Sequence, residues 1–297
     1  MSGAVGAQHR PDAQAIFASY GAPLIAALTR NVADALNEDI GPGDLTGLLL
    51  DAGARATARV LVRETAVLCG RPWFDAVLST LDPTARIEWH HAEGAVMEAD
   101  ATVCTMEANA RLLLSAERPA LNFLQMLSGV ATAVRGYADL LQGHPAHVLD
   151  TRKTIPGLRL AQKYAVRIGG GRNQRLALYD GILIKENHIA AAGGIASALA
   201  RAFEIAAPDR VQIEVETPAQ LTEALEHGAR SVLLDNFSLD GLCDAVAQTA
   251  GRALLEASGG VNAATIAAIA ATGVDRISIG ALTKDLKAVD YSLRLSA

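Results

Sequence analysis

Six short apolar runs in the second half of the chain alternate with segments typical of helices. The runs are HVLD (147–150), ILIK (182–185), VQIEVE (211–216), SVLLD (231–235), ALLEAS (253–258) and RISIGA (276–281). Strands that alternate with helices of this length indicate a parallel sheet covered by helices. No dinucleotide-binding glycine pattern follows these runs, so a closed or nearly closed barrel is favoured over an open sheet. A doubly wound open sheet remains the structural alternative.

The first half of the chain has a different pattern, which is typical of an α+β domain. Residues 12–36 carry apolar side chains with a helical period, and Pro23 is expected to break or kink that helix. Short β-type runs then fill residues 56–104 around one predicted helix at 71–81. Strands and helices in this order predict a sandwich-like N-terminal domain.

The domain boundary is predicted from the long helical segment that follows. Residues 109–141 are typical of a helix with a break near Gly129. We therefore predict an N-terminal α/β domain over residues 1–128 and a barrel domain over residues 129–285. The remaining tail, residues 286–297, is a segment that can pack back on the first domain.

Composition excludes several classes of function. The chain has 297 residues, a formal net charge of −6 and a pI near 5.7, which argues against a general binder of nucleic-acid phosphates. Aromatic residues make up 4%, too few for a platform that stacks single-stranded bases. Cys69, Cys104 and Cys243 form no CxxC motif and are expected to be small core residues with free thiols, not a disulfide set or a zinc site. Arg10 and Asp12 precede any apolar run, so we predict no signal peptide, no membrane partner and a cytoplasmic protein.

Polar residues stand at the carboxyl end of every predicted strand. They are Asp150-Thr151-Arg152-Lys153, Lys185-Glu186-Asn187, Glu214, Asp235-Asn236, Glu256 with Ser258, and Ser278 with Gly280. In α/β barrels the chemistry is located at these strand ends, so we expect the site there.

Strand alternation places several carboxylates on one face of the barrel. In VQIEVE, the side chains of Gln212, Glu214 and Glu216 share one face, whereas the valines and the isoleucine share the other. With Asp235 at the next strand end, this pattern predicts a Mg²⁺ site, since Mg²⁺ prefers oxygen ligands and shares them with substrate phosphates. A solvated edge strand is the alternative for Glu214 and Glu216.

The last two loops contain small residues that suit an anion. In ASGGVNAATIAAI (257–269) and SIGALTKD (278–285), glycines allow backbone N–H groups to approach a phosphate at the start of a helix. A tight strand-to-helix turn with no ligand is the alternative for Gly259-Gly260.

Positive charge is concentrated in DTRKTIPGLRLAQKYAVRIGGGRNQR (150–175). Pro156 and Gly169 are expected to bound a helix, on which Arg159, Lys163 and Arg167 form a stripe that is either solvated or functional. The cations at strand ends and glycine-rich loops are Arg152, Lys153, Arg175 and Lys185. They favour a small ligand with more than one negative charge.

Several long blocks in order resemble the quinolinate phosphoribosyltransferase family, also called carboxylating nicotinate-nucleotide pyrophosphorylases. The blocks are EDIGPGDLT (38–46), ERPALNFLQMLSGVAT (117–132), DTRKTIPGLR (150–159), QKYAVRIGGGRNQR (162–175), LIKENHI (183–189), IEVET (213–217), LLDNF (233–237), EASGG (256–260) and ISIGALT (277–283). The resemblance implies an N-terminal α/β domain with an incomplete α/β barrel. It also implies Mg²⁺-dependent conversion of quinolinate and phosphoribosyl pyrophosphate into nicotinate mononucleotide, pyrophosphate and CO₂ in NAD biosynthesis.

The resemblance also implies roles for residues and a partner. The dicarboxylate pocket would contain Arg152, Lys153, Arg175 and Lys185, with Arg118 from the neighbouring chain of a homodimer or larger assembly. Thr151 and Gln174 are further predicted substrate-binding residues. Glu214 and Asp235 would hold Mg²⁺ and the ribose hydroxyls, and with Lys153 they are the predicted catalytic residues. The 5′-phosphate would be bound by Ser258, Gly259, Gly260 and Gly280.

Two positions depart from the family pattern. Gln174 in Asn173-Gln174-Arg175 stands where many members have His, so a titrating role there is in doubt. Pro119 stands where Thr is common. The functional alternatives are a phosphoribosyltransferase for another pyridine carboxylate, a barrel isomerase or aldolase with a Schiff base on Lys185, and a ligand sensor without catalysis.

Overall fold

The computed structural model describes residues 12–296, and these form two compact units. Unit 1 contains residues 12–135, 155–170 and 286–296, whereas unit 2 contains residues 136–154 and 171–285. Each unit is therefore built from segments that are not contiguous in the chain.

Unit 1 combines helices with an antiparallel sheet. Its helices are α1 (Ala13–Tyr20), α2 (Ala22–Asp39), α3 (Arg71–Leu81), α4 (Ala110–Leu140), whose last residues belong to unit 2, and α5 (Arg159–Ile168). Its strands are β1 (Arg55–Val62), β2 (Ala66–Val67), β3 (Arg86–Trp89), β4 (Val96–Met97), β5 (Thr102–Asn109) and β12 (Tyr291–Ser296).

The four-stranded sheet of unit 1 has the order β12-β1-β5-β3, with every pair antiparallel, and β2 pairs with β4. In β1, the alternate residues Ala58, Val60 and Val62 are buried, because successive side chains of a strand point to opposite faces. The tail thus contributes the edge strand β12 to this sheet. The mixed α/β prediction for the N-terminal half is confirmed.

Two helix predictions in unit 1 need comment. The predicted helix at 12–36 is interrupted at Gly21, whose φ of 59° is accessible to glycine, and Pro23 lies in the first turn of α2. The predicted break near Gly129 is wrong, since α4 continues through it. A Cβ at Gly129 would overlap the carbonyl oxygen of Lys287, so this glycine permits a close backbone approach within an unbroken helix.

Unit 2 is built on six parallel strands. They are β6 (His147–Leu149), β7 (Ile182–Ile184), β8 (Val211–Val215), β9 (Ser231–Asp235), β10 (Leu254–Ser258) and β11 (Arg276–Ser278). The order β6-β11-β10-β9-β8-β7 places strands beside their sequence neighbours and pairs the first strand with the last. A doubly wound sheet reverses its order partway, so that alternative is excluded.

The barrel of unit 2 is incomplete. Among the described residues, β6 and β7 form no ladder with each other, and an isolated bridge joins Leu149 to Arg172 beside β6. The predicted incomplete α/β barrel is therefore confirmed.

The helices of unit 2 connect successive strands from β7 to β11, and the last helix follows β11. They are α6 (Glu186–Ala192), α7 (Ile195–Ile205), α8 (Pro218–Glu226), α9 (Leu239–Thr249), α10 (Ile266–Ala271) and α11 (Ala281–Lys284). Thr217 and Ser238 accept hydrogen bonds from the first turns of α8 and α9, which fixes where these helices begin. All parallel strands end on one rim, as the sequence predicts for a barrel site.

Within residues 12–296, no helix has both the length and the apolar character required to cross a membrane. The three cysteines are free thiols, as expected, and Cys69 and Cys104 are buried. The predicted core position is wrong for Cys243, which is exposed.

Candidate active site at the carboxyl ends of the parallel strands

An ion pair joins the ends of β7 and β8. Lys185 Nζ lies 2.7 Å from Glu214 Oε2, and the Glu214 side chain is 11% exposed. Lys185 is also the residue before α6, and its backbone N–H donates to His188 Nδ1, which gives this histidine a capping role. Glu216 lies beyond the strand and is exposed, so its carboxylate is less enclosed than that of Glu214.

The end of β6 and the loop after β11 form a second cluster. Thr151 Oγ1 accepts a hydrogen bond from the backbone N–H of Lys153, whose carbonyl accepts one from Thr283. A Cβ at Gly280 would lie 3.1 Å from Lys153 Cδ and 3.7 Å from Thr151 Oγ1. The structure therefore brings Thr151, Lys153 and Gly280 together.

Arg152 and Arg175 come from different loops and lie close enough for their charges to interact. Burial lowers the pKa of Arg175, the charge of Arg152 lowers it further, and Asp180 opposes the shift. Arg175 Nη1 donates to the Gly181 carbonyl at 2.8 Å, while its buried Nε has no hydrogen-bond partner among the described residues. Two guanidinium groups that repel each other, one of them partly buried, form a site that an anion would stabilise.

A turn that requires glycine follows β10 and contacts the end of β9. Asp235 accepts a hydrogen bond from the Asn236 side chain at 2.8 Å, and Asn236 donates its backbone N–H to the Ser258 carbonyl. Gly259 has a φ of 99°, and a Cβ there would overlap Asn236 Oδ1. Gly260 has a φ of 63° and faces open space, so backbone groups at this turn are accessible to a ligand.

The turn at Gly259-Gly260 is separated from the helix that follows it. Helix α10 begins at Ile266, so residues 261–265 lie between this turn and the helix. Residues 261–264 form an irregular connection in which Asn262 and Thr265 bond to each other. Gly280, in contrast, does immediately precede α11.

The loop that carries Gln174 is attached to the end of β6. Asp150 is fully buried and accepts hydrogen bonds from the Gln174 backbone N–H at 2.9 Å and from Asn173 Nδ2 at 2.7 Å. In the sequence, Asp150 is one polar residue among several at the strand ends. Its role in holding the loop requires the three-dimensional contact.

The remaining predicted residues belong to unit 1. Arg118 is on α4 with a side chain 61% exposed, beside Glu117 at 3.2 Å. On α5, Lys163 is fully buried and Arg167 donates to Ser19 Oγ at 2.6 Å, so a solvated stripe is wrong for Lys163. The use of Arg118 by a neighbouring chain stays a prediction.

The carboxylates suit a metal that is shared with a ligand. Glu214 is on β8 and Asp235 is on β9, and these strands are neighbours, since Glu214 pairs with Leu233 of β9. Asp235 also pairs with Ser258 of β10. The two carboxylates therefore come from adjacent strand ends. Within the described part of the chain, no group of three His, Cys, Asp or Glu side chains could hold a metal. Glu214 and Asp235 therefore fit Mg²⁺ only if phosphate oxygens of a bound substrate complete its coordination.

Comparison with known proteins assigns the family. Residues 44–128 match the model of the quinolinate phosphoribosyl transferase N-terminal domain, and residues 130–294 match that of the C-terminal domain. The chain is 38% identical over 257 residues to a probable nicotinate-nucleotide pyrophosphorylase [carboxylating] of Bacillus subtilis (strain 168), covering 86% of this chain and 89% of the relative. It is 37% identical over 282 residues to quinolinate phosphoribosyltransferase [decarboxylating] 2a, mitochondrial, of Nicotiana tabacum, covering 88% and 80%.

A solved structure agrees with these matches. The nicotinate-nucleotide pyrophosphorylase from Francisella tularensis superposes with a TM-score of 0.89 at 44% identity, covering 91% of this chain and 96% of that one. Two domain models that together span most of the chain, and relatives above 30% identity over most of its length, are sufficient to assign it. This chain belongs to the quinolinate phosphoribosyltransferase family.

Proposed function

We propose that this protein transfers the phosphoribosyl group of phosphoribosyl pyrophosphate to quinolinate and releases pyrophosphate and CO₂. The product is nicotinate mononucleotide, a precursor in NAD biosynthesis. The names of the relatives, quinolinate phosphoribosyltransferase [decarboxylating] and nicotinate-nucleotide pyrophosphorylase [carboxylating], describe this reaction in its two directions.

The interaction between Arg152 and Arg175 is the observation that carries the proposal. Quinolinate has carboxylates on adjacent ring carbons, and each can accept a two-pronged hydrogen bond from a guanidinium group. Burial and the charge of Arg152 already lower the pKa of Arg175, so a single carboxylate would compensate less of this positive charge. A dicarboxylate thus fits better than nicotinate.

The donor would bind at the other strand ends. The turn at Ser258, Gly259 and Gly260 and the nearby Gly280 offer backbone N–H groups to the 5′-phosphate. Glu214 and Asp235 would hold Mg²⁺ together with substrate oxygens, and that ion would neutralise charge on the pyrophosphate. Lys153, which lies against Gly280, supplies a further positive charge between the two halves of the site.

Positioning accounts for the reaction without a covalent nucleophile. The cations hold quinolinate so that the ring nitrogen faces the anomeric carbon of the ribose. The nitrogen lone pair forms the new bond while the bond to pyrophosphate breaks with its electron pair, and Glu214 and Asp235 stabilise positive charge on the ribose. The carboxylate beside the cationic nitrogen then leaves as CO₂, and the ring carbon retains the electron pair and takes up a proton.

We also propose a homodimer in which Arg118 of one chain completes the dicarboxylate pocket of the other. This rests on the family resemblance and on the exposure of Arg118, whose side chain is 61% accessible beside Glu117. A cytoplasmic location stays a prediction from the sequence.

Turnover with defined substrates tests the proposal. Quinolinate, phosphoribosyl pyrophosphate and Mg²⁺ should give nicotinate mononucleotide, and omission of any one should abolish the product. Turnover of nicotinate but not of quinolinate would identify a related phosphoribosyltransferase instead. The Schiff-base alternative needs an uncharged Lys185 amine, whereas this amine forms an ion pair with Glu214. Borohydride trapping of a substrate on Lys185 would nevertheless establish that alternative.

A further inference from the structure

A chain of polar side chains lies one layer beneath the Lys185–Glu214 ion pair. Gln212 is on the same face of β8 as Glu214, two residues earlier and therefore roughly 7 Å further from the strand end. Its Oε1 accepts a hydrogen bond from Gln174 Nε2 at 2.7 Å, and its Nε2 donates to Glu256 Oε2 at 2.9 Å. Gln174, Gln212 and Glu256 thus form a relay that crosses the inside of the barrel.

The carboxylate at the end of this relay determines the orientation of both amides. Glu256 Oε2 accepts from the NH₂ group of Gln212, so the Gln212 carbonyl is turned toward Gln174. That carbonyl can only accept, so Gln174 must point its own NH₂ group into the barrel. Reversal of either amide would place two donors or two acceptors against each other, which costs more than a hydrogen bond is worth.

The surroundings of Glu256 are those of a buried polar site. Its side chain is 1% exposed, and Arg276 Nε lies 3.9 Å from Glu256 Oε2. Arg276 also donates to Ser231 Oγ at 2.6 Å. Ser231, Glu256 and Arg276 line a cavity of about 320 Å³. Gln174 and Arg175 line the same cavity. Apolar residues could fill such a space at lower cost, so a positioning role gives a reason for the buried charges.

We propose that Gln212 and Glu256 are positioning residues for the pyridine dicarboxylate. They fix the amide of Gln174 in one orientation and thereby hold the adjacent Arg175 where a carboxylate can reach its guanidinium. Asp150 supports the same loop from the backbone side. Neither Gln212 nor Glu256 touches the substrate in this scheme. The inference rests on the proposed function.

Coupling between the two amides is the expected signature in binding. Gln174→Met and Gln212→Met preserve side-chain length, and each should weaken quinolinate binding about three- to tenfold, the value of one net hydrogen bond. Both changes break the hydrogen bond between Gln174 and Gln212. The double variant should therefore bind quinolinate no more weakly than the single variant with the lower affinity. Glu256→Gln keeps a carbonyl acceptor for Gln212 and should retain most of the affinity. Ser231→Ala, which alters the cavity outside the relay, is the matched control.

Isothermal titration with quinolinate, and separately with phosphoribosyl pyrophosphate and Mg²⁺, measures these effects. Additive losses in the double variant, unchanged quinolinate affinity in Gln212→Met, or an equal loss of donor affinity would overturn the proposal.

A measurement without substrate separates this inference from the proposed function. The side-chain amide resonance of Gln174, assigned by its absence in Gln174→Met, should shift and exchange faster with solvent in Gln212→Met but not in Ser231→Ala. If the resonance responds in this way while the wild-type protein binds no quinolinate, the proposed function fails and the relay stands. If the resonance is unaffected in Gln212→Met, the relay is wrong.

Discussion

Replacement of Arg175 by Met should separate ligand binding from stability. In the unliganded protein the Arg175 guanidinium is partly desolvated and lies near the like charge of Arg152, both of which lower its pKa. Its guanidinium donates a hydrogen bond from Nη1 to the Gly181 carbonyl, and loss of such a bond costs about 0.5–1.5 kcal/mol. Removal of an unfavourable charge offsets part of that cost. The free energy of unfolding should therefore change by less than about 1.5 kcal/mol.

Binding of quinolinate should respond much more strongly to the same change. A hydrogen bond to a charged group is worth about 1.5–3 kcal/mol, so the Kd for quinolinate should rise about 10- to 150-fold. Arg175→Lys is the matched control, because it keeps the charge but loses the planar fork, and it should give an intermediate Kd. The Kd for phosphoribosyl pyrophosphate with Mg²⁺ should stay within about twofold.

Isothermal titration of both substrates, combined with urea unfolding of the three proteins, provides the assay. A loss of donor affinity equal to that of quinolinate would show that Arg175 does not belong to a separate dicarboxylate pocket. A large loss of stability with unchanged quinolinate affinity would show that the guanidinium is a structural group.

Three further predictions concern the turn after β10, unit 1 and the metal. Gly259→Ala should lower the affinity for phosphoribosyl pyrophosphate and cost about 1–3 kcal/mol of stability, because the new Cβ would overlap Asn236 at a positive φ. Unchanged binding of phosphoribosyl pyrophosphate would show that the turn is not part of the site. Glu93 in unit 1 accepts hydrogen bonds from the backbone N–H groups of Gly70 and Arg71 and from the Tyr164 hydroxyl. Burial raises the pKa of Glu93 above its ordinary 4.5, so its contribution to stability is full below pH 4.5 and is lost as pH rises through the raised pKa. Urea unfolding between pH 4.5 and 7 should therefore show a smaller decline for Glu93→Gln than for the wild type, and equal declines would contradict this. Removal of Mg²⁺ with a chelator should abolish turnover, and turnover that is insensitive to the chelator would exclude the metal. Asp235→Asn should raise the Mg²⁺ concentration needed for the half-maximal rate, whereas the control Asn236→Asp should not raise it.

The spacing of apolar residues along the chain predicted the architecture well. Each of the six parallel strands falls within the apolar run assigned to it, and helix α3 coincides with the predicted segment at 71–81. Alternation along VQIEVE also placed Gln212 and Glu214 on one face, and their contacts with Glu256 and Lys185 agree with that assignment. Such features depend on neighbours within a few positions, so the sequence contains them directly.

Features that depend on distant contacts were not predictable. Gly129 is typical of a helix break, yet α4 is continuous there, and the glycine allows the backbone of Lys287 to pack closely against the helix. Lys163 is in a charged stripe for which a solvated face was one of two interpretations, but tertiary packing buries it completely. The contact between Gln174 and Gln212 joins residues 38 positions apart, and nothing in either local pattern indicates it.

The fate of a labelled carboxylate tests the central claim that paired cations hold a pyridine dicarboxylate for phosphoribosyl transfer. Quinolinate carrying ¹³C in the carboxylate next to the ring nitrogen should be converted with phosphoribosyl pyrophosphate and Mg²⁺. We expect one ¹³CO₂ and one pyrophosphate for each nicotinate mononucleotide formed, with no label in the nucleotide. Label retained in the nucleotide, or pyrophosphate released without CO₂, would contradict the account.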